Sequence, residues 1–106
     1  MTDIIFIKSS LLAKYVSKAI DIDAFEIEIE CRDGYEEIIA MRNQMGLSID
    51  RLDSESEEAL NIKEQLYALQ ENNTGIIHLH EKIYRIKVET YQSFGEDIFR
   101  IKIKQS

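Results

Sequence analysis

Seven residues in the first third of the chain, Phe25-Glu26-Ile27-Glu28-Ile29-Glu30-Cys31, alternate between apolar and acidic without a break. Only an extended strand sends successive side chains to opposite sides. The run therefore specifies a strand with one face on an apolar core and three carboxylates on the other. The alternation directs Phe25, Ile27, Ile29 and Cys31 toward the core. Such a strand needs neighbours along its edges and cover over its apolar face, and the rest of the chain must supply both.

Cover is predicted from segments with a helical period. Ser9-Ser10 open a helix whose apolar residues Leu12, Tyr15, Val16, Ala19 and Ile20 recur at i, i+3, i+4, i+7 and i+8, ending near Asp21. Asp33 with Glu36 makes a loose capping box for a second helix carrying Ile38, Met41 and Met45, with Gly46 as its stop. Ser54-x-x-Glu57 opens a third and longer one, closed by Asn72-Asn73-Thr74-Gly75. Its stripe of Ala59, Ile62, Leu66 and Leu69 has heptad spacing but is too short for a coiled coil, so it reads as a core-facing face.

The strands are predicted at 3–8, in the alternating run, and in a C-terminal meander at 76–80, 83–91 and 98–104. The meander turns near Glu81-Lys82 and through Ser93-Phe94-Gly95-Glu96-Asp97. Tyr84, Ile86 and Val88 form one of its apolar rows, and Phe99, Ile101 and Ile103 another. The element order is β-α-β-α-α-β-β-β. It describes one α+β domain over residues 1–106, with helices packed on one face of a mostly antiparallel sheet.

Charge adds a topological expectation. Arg85 and Lys87, then Arg100, Lys102 and Lys104, alternate with the core residues of the last two strands. Glu26, Glu28 and Glu30 are the matching acidic row, so the second strand is expected beside one of the basic ones, where opposite charges face each other across the ladder. A nucleic-acid platform would interleave stacking aromatics with such cations, and these rows contain none, so no direct nucleic-acid partner is expected.

Chemistry-bearing motifs are sparse. His78 and His80, two apart on a predicted strand, would share a face and are weak candidates for metal ligation, but no third ligand is specified. Cys31 is the sole cysteine and reads as a structural thiol. There is no Gly-x-Ser-x-Gly elbow, phosphate loop or dinucleotide fingerprint, and neither cofactor nor catalytic residue is assigned. No apolar run approaches the roughly 18–20 residues that span a bilayer, and the amino terminus lacks a secretory pattern, so a cytoplasmic protein without a membrane partner is expected.

What remains is the placement of the acidity. The net charge is −7, and residues 33–72 hold ten acids against three bases, whereas 76–106 hold four acids against six bases. The densest stretch, Asp50, Asp53, Glu55, Glu57 and Glu58, contains only Arg51 as a counter-charge. Acids in a first helical turn complement the macrodipole, which accounts for part of the cluster. The remainder, together with Glu64, is the expected contact surface for a basic protein partner. Three function classes follow in order. The first is an acidic inhibitor or immunity-type module that covers the basic surface of a nucleic-acid-acting protein. The second is a regulatory or housekeeping domain that self-associates through an edge strand of the meander. The third is a small metal-assisted enzyme built on His78 and His80.

Overall fold

The alternating run is a strand with a neighbour on each side. In the computed structural model, which describes residues 4–7, 10–70, 73–93 and 95–105, the elements run β1 (Ile4–Phe6), α1 (Leu11–Asp21), β2 (Glu26–Cys31), β3 (Tyr35–Arg42), β4 (Met45–Asp53), α2 (Glu57–Ala68), β5 (Thr74–Leu79), β6 (Lys82–Ser93) and β7 (Glu96–Gln105). Positions 3, 8 and 9, Glu71, Asn72 and Phe94, on which parts of the expected first strand, helix cap, helix stop and final turn fall, lie outside the described residues.

The strands form one sheet in the order β1-β5-β6-β7-β2-β3-β4. All neighbours are antiparallel except β1, which runs parallel to β5, so this single α+β domain is built on a mixed sheet. The expected charge pairing is present. β2 lies against β7 with Glu26 opposite Lys102 and Glu28 opposite Arg100. Arg100 reaches Glu26 at 3.2 Å and Glu28 at 3.0 Å, and Tyr91 donates its hydroxyl to Glu28 at 3.1 Å.

On the other side of the sheet, Ile27 and Ile29 are buried opposite Ile101 and Phe99 on β7 and opposite Ala40 and Ile38 on β3. Leu12, Tyr15, Val16 and Ala19 of α1 and Ala59, Ile62 and Leu66 of α2 close over them in one continuous core. Each fully buried aliphatic or aromatic side chain contributes about 1.5–3 kcal/mol. Both helices thus cover a single face, and the opposite face of the sheet stays open.

Residues 33–46 do not form the expected helix. They belong to a hairpin, β3–β4, which supplies the neighbour that β2 needs on its second edge. The strand pattern was disguised because one of its inward positions is charged: Glu36, Ile38 and Ala40 alternate as buried residues with the half-buried Tyr35, Glu37, Ile39 and Met41. Ile38, Met41 and Met45 also match a helical spacing, and tertiary pairing overrides it. Asn43 and Gln44 turn the chain with φ of 50° and 67°, the double left-handed geometry of a two-residue hairpin loop. Gly46, expected as a helix stop, sits inside β4, where a Cβ would come within 2.9 Å of Ile39 Cγ2.

Smaller corrections have local causes. Ser56, not Ser54, caps α2, its Oγ accepting from the Ala59 amide at 3.1 Å. Ser54 Oγ is instead buried without a hydrogen-bond partner among the described residues. The β5–β6 turn falls at His80-Glu81, one residue early. Phe25 precedes β2 and is 44% exposed rather than in the core, while Cys31 is half-buried at the strand's end. β1 is an edge strand that buries neither Ile4 nor Phe6, although Ile5 and Ile7 pack on the core. The meander lies inside the sheet, so the long edge is β4 and not one of the meander strands.

That edge is tied down by a polar contact. The Tyr15 hydroxyl on α1 donates to Asp50 Oδ2 at 2.5 Å, and the Arg51 amide donates to Oδ1 at 2.8 Å. Burial pushes the Asp50 carboxyl up, but these two hydrogen bonds, with Lys18 and Lys14 nearby, outweigh it and hold the group below its ordinary value. A carboxyl depressed by folding stabilises above its unfolded pKa, near 4, and the contribution is lost as pH falls through the folded value. Tyr15→Phe is therefore expected to cost about 1.5–3 kcal/mol at neutral pH, with the deficit shrinking below about pH 4, as urea unfolding at pH 7 and pH 3 will measure.

Candidate functional site

One end of the sheet carries a feature that the sequence pattern did not announce. Cys31 on β2 and Glu36 on β3 are directly opposed across the ladder, close to the Gly34 turn that joins the two strands. Glu36 is only 1% exposed because its inward position carries it under α2. Lys63, on the inner flank of that helix, extends its amine to Glu36 Oε1 as an ion pair. Oε2 has no hydrogen-bond partner among the described residues. Burying a carboxylate with incomplete hydrogen bonding costs on the order of 1–3 kcal/mol, which the Lys63 amine and the adjoining Cys31 thiol offset.

Beside the buried pair lies a cavity of about 260 Å³, to which the Glu36 carboxylate oxygens expose almost no surface. Tyr67 of α2 and Phe99 of β7 form its aromatic wall, their rings meeting edge to face at 5.3 Å and 78°. Glu96 and Asp97, the first residues of β7, stand exposed at its rim, and Gln92 donates to Asp97 at 3.3 Å. Two carboxylates thus stand at the opening, beside the buried Glu36–Lys63 pair. Burial opposes the charge on Lys63, but the paired Glu36 outweighs it and raises the amine's pKa. Burial, followed by the adjoining Glu36 carboxylate, pushes the Cys31 thiol up, which keeps it protonated and poorly nucleophilic at neutral pH.

The acids singled out from sequence divide into groups. Asp53, Glu55, Glu57, Glu58 and Glu64 are exposed. Glu57 and Glu58 occupy the first turn of α2, while Asp53 Oδ1 accepts from the Glu55 amide at 2.9 Å and shapes the turn that leads into it. Asp50 is different: it is half-buried and engaged by Tyr15, so it belongs to the scaffold. Further along α2, Leu60 and Tyr67 are 54% and 52% exposed, with Glu64 four residues after one and three before the other. That spacing puts all three on one helical face. Tyr67 is shared by this face and the cavity.

His78 and His80 do not share a strand face, because β5 ends at Leu79 and His80 lies in the left-handed turn. His80 instead approaches Asp21 at 3.9 Å. Among the described residues no group of three His, Cys, Asp or Glu side chains is arranged to hold a metal ion. The basic residues stand on the open face, with Lys87 opposite Lys102 and Arg85 opposite Lys104, and Lys102 reaches Glu89 at 3.2 Å. No helix among the described residues is long and apolar enough to cross a membrane.

No protein-family model matches the chain, and no curated protein matches it. The site is therefore read from its own geometry.

Sequence reasoning missed Glu36, Lys63, Tyr67 and Phe99 as a group because they lie on three elements and meet only in the folded state. The one available signal was Glu36 itself, a charge at an inward position of an otherwise alternating segment. Lys63→Met, which strands the buried carboxylate, is expected to destabilise the fold by about 3 kcal/mol, the low end for a broken buried pair because Lys63 retains some solvent contact. Glu36→Leu combined with Lys63→Met should restore most of that loss in denaturant unfolding.

Proposed function

We propose that this chain is a small acidic protein-binding module acting in the cytoplasm. It docks on a basic partner in the manner of an inhibitor or immunity-type protein that covers the nucleic-acid-facing surface of a nuclease toxin or defence protein. The observation that carries this reading is the exposed side of α2, where Glu57, Glu58 and Glu64 are interleaved with Leu60 and Tyr67, two large side chains that remain more than half exposed. Carboxylates alone steer encounter and discriminate against acidic partners. Half-exposed apolar and aromatic anchors among them add the desolvated contacts from which interface affinity comes. Asp53 and Glu55 extend the same charge through the turn that precedes the helix.

The acids of this surface are not consumed by the fold. Among the described residues, no ion pair involves Glu55, Glu57, Glu58 or Glu64, whereas Glu26, Glu28, Glu36 and Glu37 all have basic partners. A second reading, self-association, moves from the meander to β4, whose outer backbone edge has no neighbouring strand among the described residues and which exposes Met45 and Leu47.

Replacing Asp53, Glu55, Glu57 and Glu58 with Lys is expected to weaken binding to a basic partner captured from the host by at least about a hundredfold, with a smaller loss of thermal stability from the Asp53 turn and the first turn of α2 that Glu55→Gln, Glu57→Gln and Glu58→Gln together would largely avoid. Unchanged affinity would refute the acidic-face reading. Sedimentation of the isolated protein separates the alternative: a tight dimer dispersed by Leu47→Lys favours the β4 edge.

A further inference from the structure

We infer that the outer edge of β4 is a dimer interface, on which a second copy of this chain pairs antiparallel about a two-fold axis at Leu47 and joins two seven-stranded sheets into one. This rests on the self-association reading, gives it a register, and is independent of docking by α2.

The backbone of β4 supplies the first argument. In an antiparallel pair, residues bonded to the neighbouring strand alternate with residues whose N–H and C=O point away from it. The two-residue loop Asn43-Gln44 makes Arg42 and Met45 a bonded pair, so Gly46 and Ser48 point away from β3, toward the free edge. Beyond the bulge opposite Ile38 the phase is set from the other end of the strand, where the Ser54 amide donates to the Gly34 carbonyl at 3.1 Å. There Arg51 and Asp53 are the outward residues. Both are capped within the chain. Asp50 Oδ1 accepts the Arg51 N–H at 2.8 Å, and the Asp53 carbonyl accepts from the Ser56 amide at 3.0 Å. The edge is therefore closed at 51–53 and open at Gly46 and Ser48.

The side chains around the open part select the occupant. Residues 43–49 carry no charge in a chain of net charge −7, so two copies meet here without opposing carboxylates. Outward residues must pair with outward residues. Gly46 then faces Ser48 of the second copy, and Ser48 faces its Gly46, each pair exchanging both backbone hydrogen bonds. In this register Leu47 meets Leu47 of the second copy, and Met45 meets its Ile49. Met45 and Leu47, 75% and 56% exposed in the single chain, share the strand side that Ala40 occupies on β3, so the contact covers them together. Charge agrees with the register. Arg42 is exposed and has no ion pair among the described residues, and it comes level with positions 52–53 of the second copy, where its guanidinium opposes Asp53. Tyr67, at the far end of α2, packs on Phe99 of β7, away from this edge in the strand order, and stays free to meet another protein.

The test uses the full-length chain. Sedimentation equilibrium is expected to show a reversible monomer–dimer equilibrium. Ser48→Pro removes an N–H that β3 does not use, so it should raise the dimer dissociation constant at least about tenfold while leaving the unfolding temperature of the monomer nearly unchanged. Cysteine cross-linking in a Cys31→Ser background reads the register. The non-bonded pair on the axis brings the two Leu47 Cα atoms to about 4.5 Å, within disulfide range, so Leu47→Cys should form a covalent dimer with oxidised glutathione. Met45→Cys, whose two copies lie well apart along the strands, should not. A chain that stays monomeric at every concentration, or a dimer indifferent to Ser48→Pro, overturns the interface, and cross-linking of Met45→Cys as readily as Leu47→Cys overturns the register. The docking reading fails separately, on a partner affinity indifferent to the acid reversal, whatever the oligomeric state.

Discussion

The sheet is continuous only because β7, the last strand in the chain, pairs with β2, one of the first. On one side of that junction are β1, β5, β6 and β7, and on the other β2, β3 and β4, a separate three-stranded unit. The junction is specified on both faces. Ile27 and Ile29 meet Ile101 and Phe99 in the core, while Glu26 and Glu28 meet Arg100 and Lys102 on the open side. Burial supplies most of the free energy, and the partly exposed ion pairs add only about 0.2–1 kcal/mol each. The charges nevertheless set the register, because a slip of one residue would send three glutamates into the core.

That arrangement has a consequence for charge. The glutamates of β2 are matched by basic side chains, so this part of the open face is close to neutral. The surplus acidity stays with the turn before α2 and with α2 itself. A net charge of −7 is therefore a local property. It sits on an amphipathic helix whose inner face, Ala59, Ile62 and Leu66, is held by the core while its outer face stays free.

Two polar groups mark where the hydrophobic core stops. Asp50 accepts the Tyr15 hydroxyl and ties the edge strand β4 to α1. Glu36 lies deeper, paired with Lys63 but not fully satisfied. An inward carboxylate is a poor way to stabilise a sheet, since an apolar residue of similar size would avoid its desolvation. It lies beside a small cavity with aromatic walls and two more carboxylates at the rim, held in place by Lys63.

Local pattern determined much of this protein. The period of 3.6 specified α1, including Tyr15 as an inward residue, and the period of two specified β2 and the apolar rows of the meander, while the charge rows narrowed the neighbour of β2 to one of the two basic strands, of which the fold uses β7. Of the acids legible as a cluster at 50–58, with Glu64, all but Asp50 are exposed around α2, and Asp50 is half-buried against Tyr15. Tertiary structure decided the rest. Residues 33–46 carry spacings that suit either a helix or a strand, and the open edge of β2 decided between them, because a buried strand must satisfy its backbone hydrogen bonds on both sides. The pairing of Cys31 with Glu36, the reach of Lys63 from α2 and the meeting of Tyr67 with Phe99 depend on contacts between residues distant in the chain. A sequence specifies which side chains turn inward on each element, but which of them face one another is set only when the elements pack.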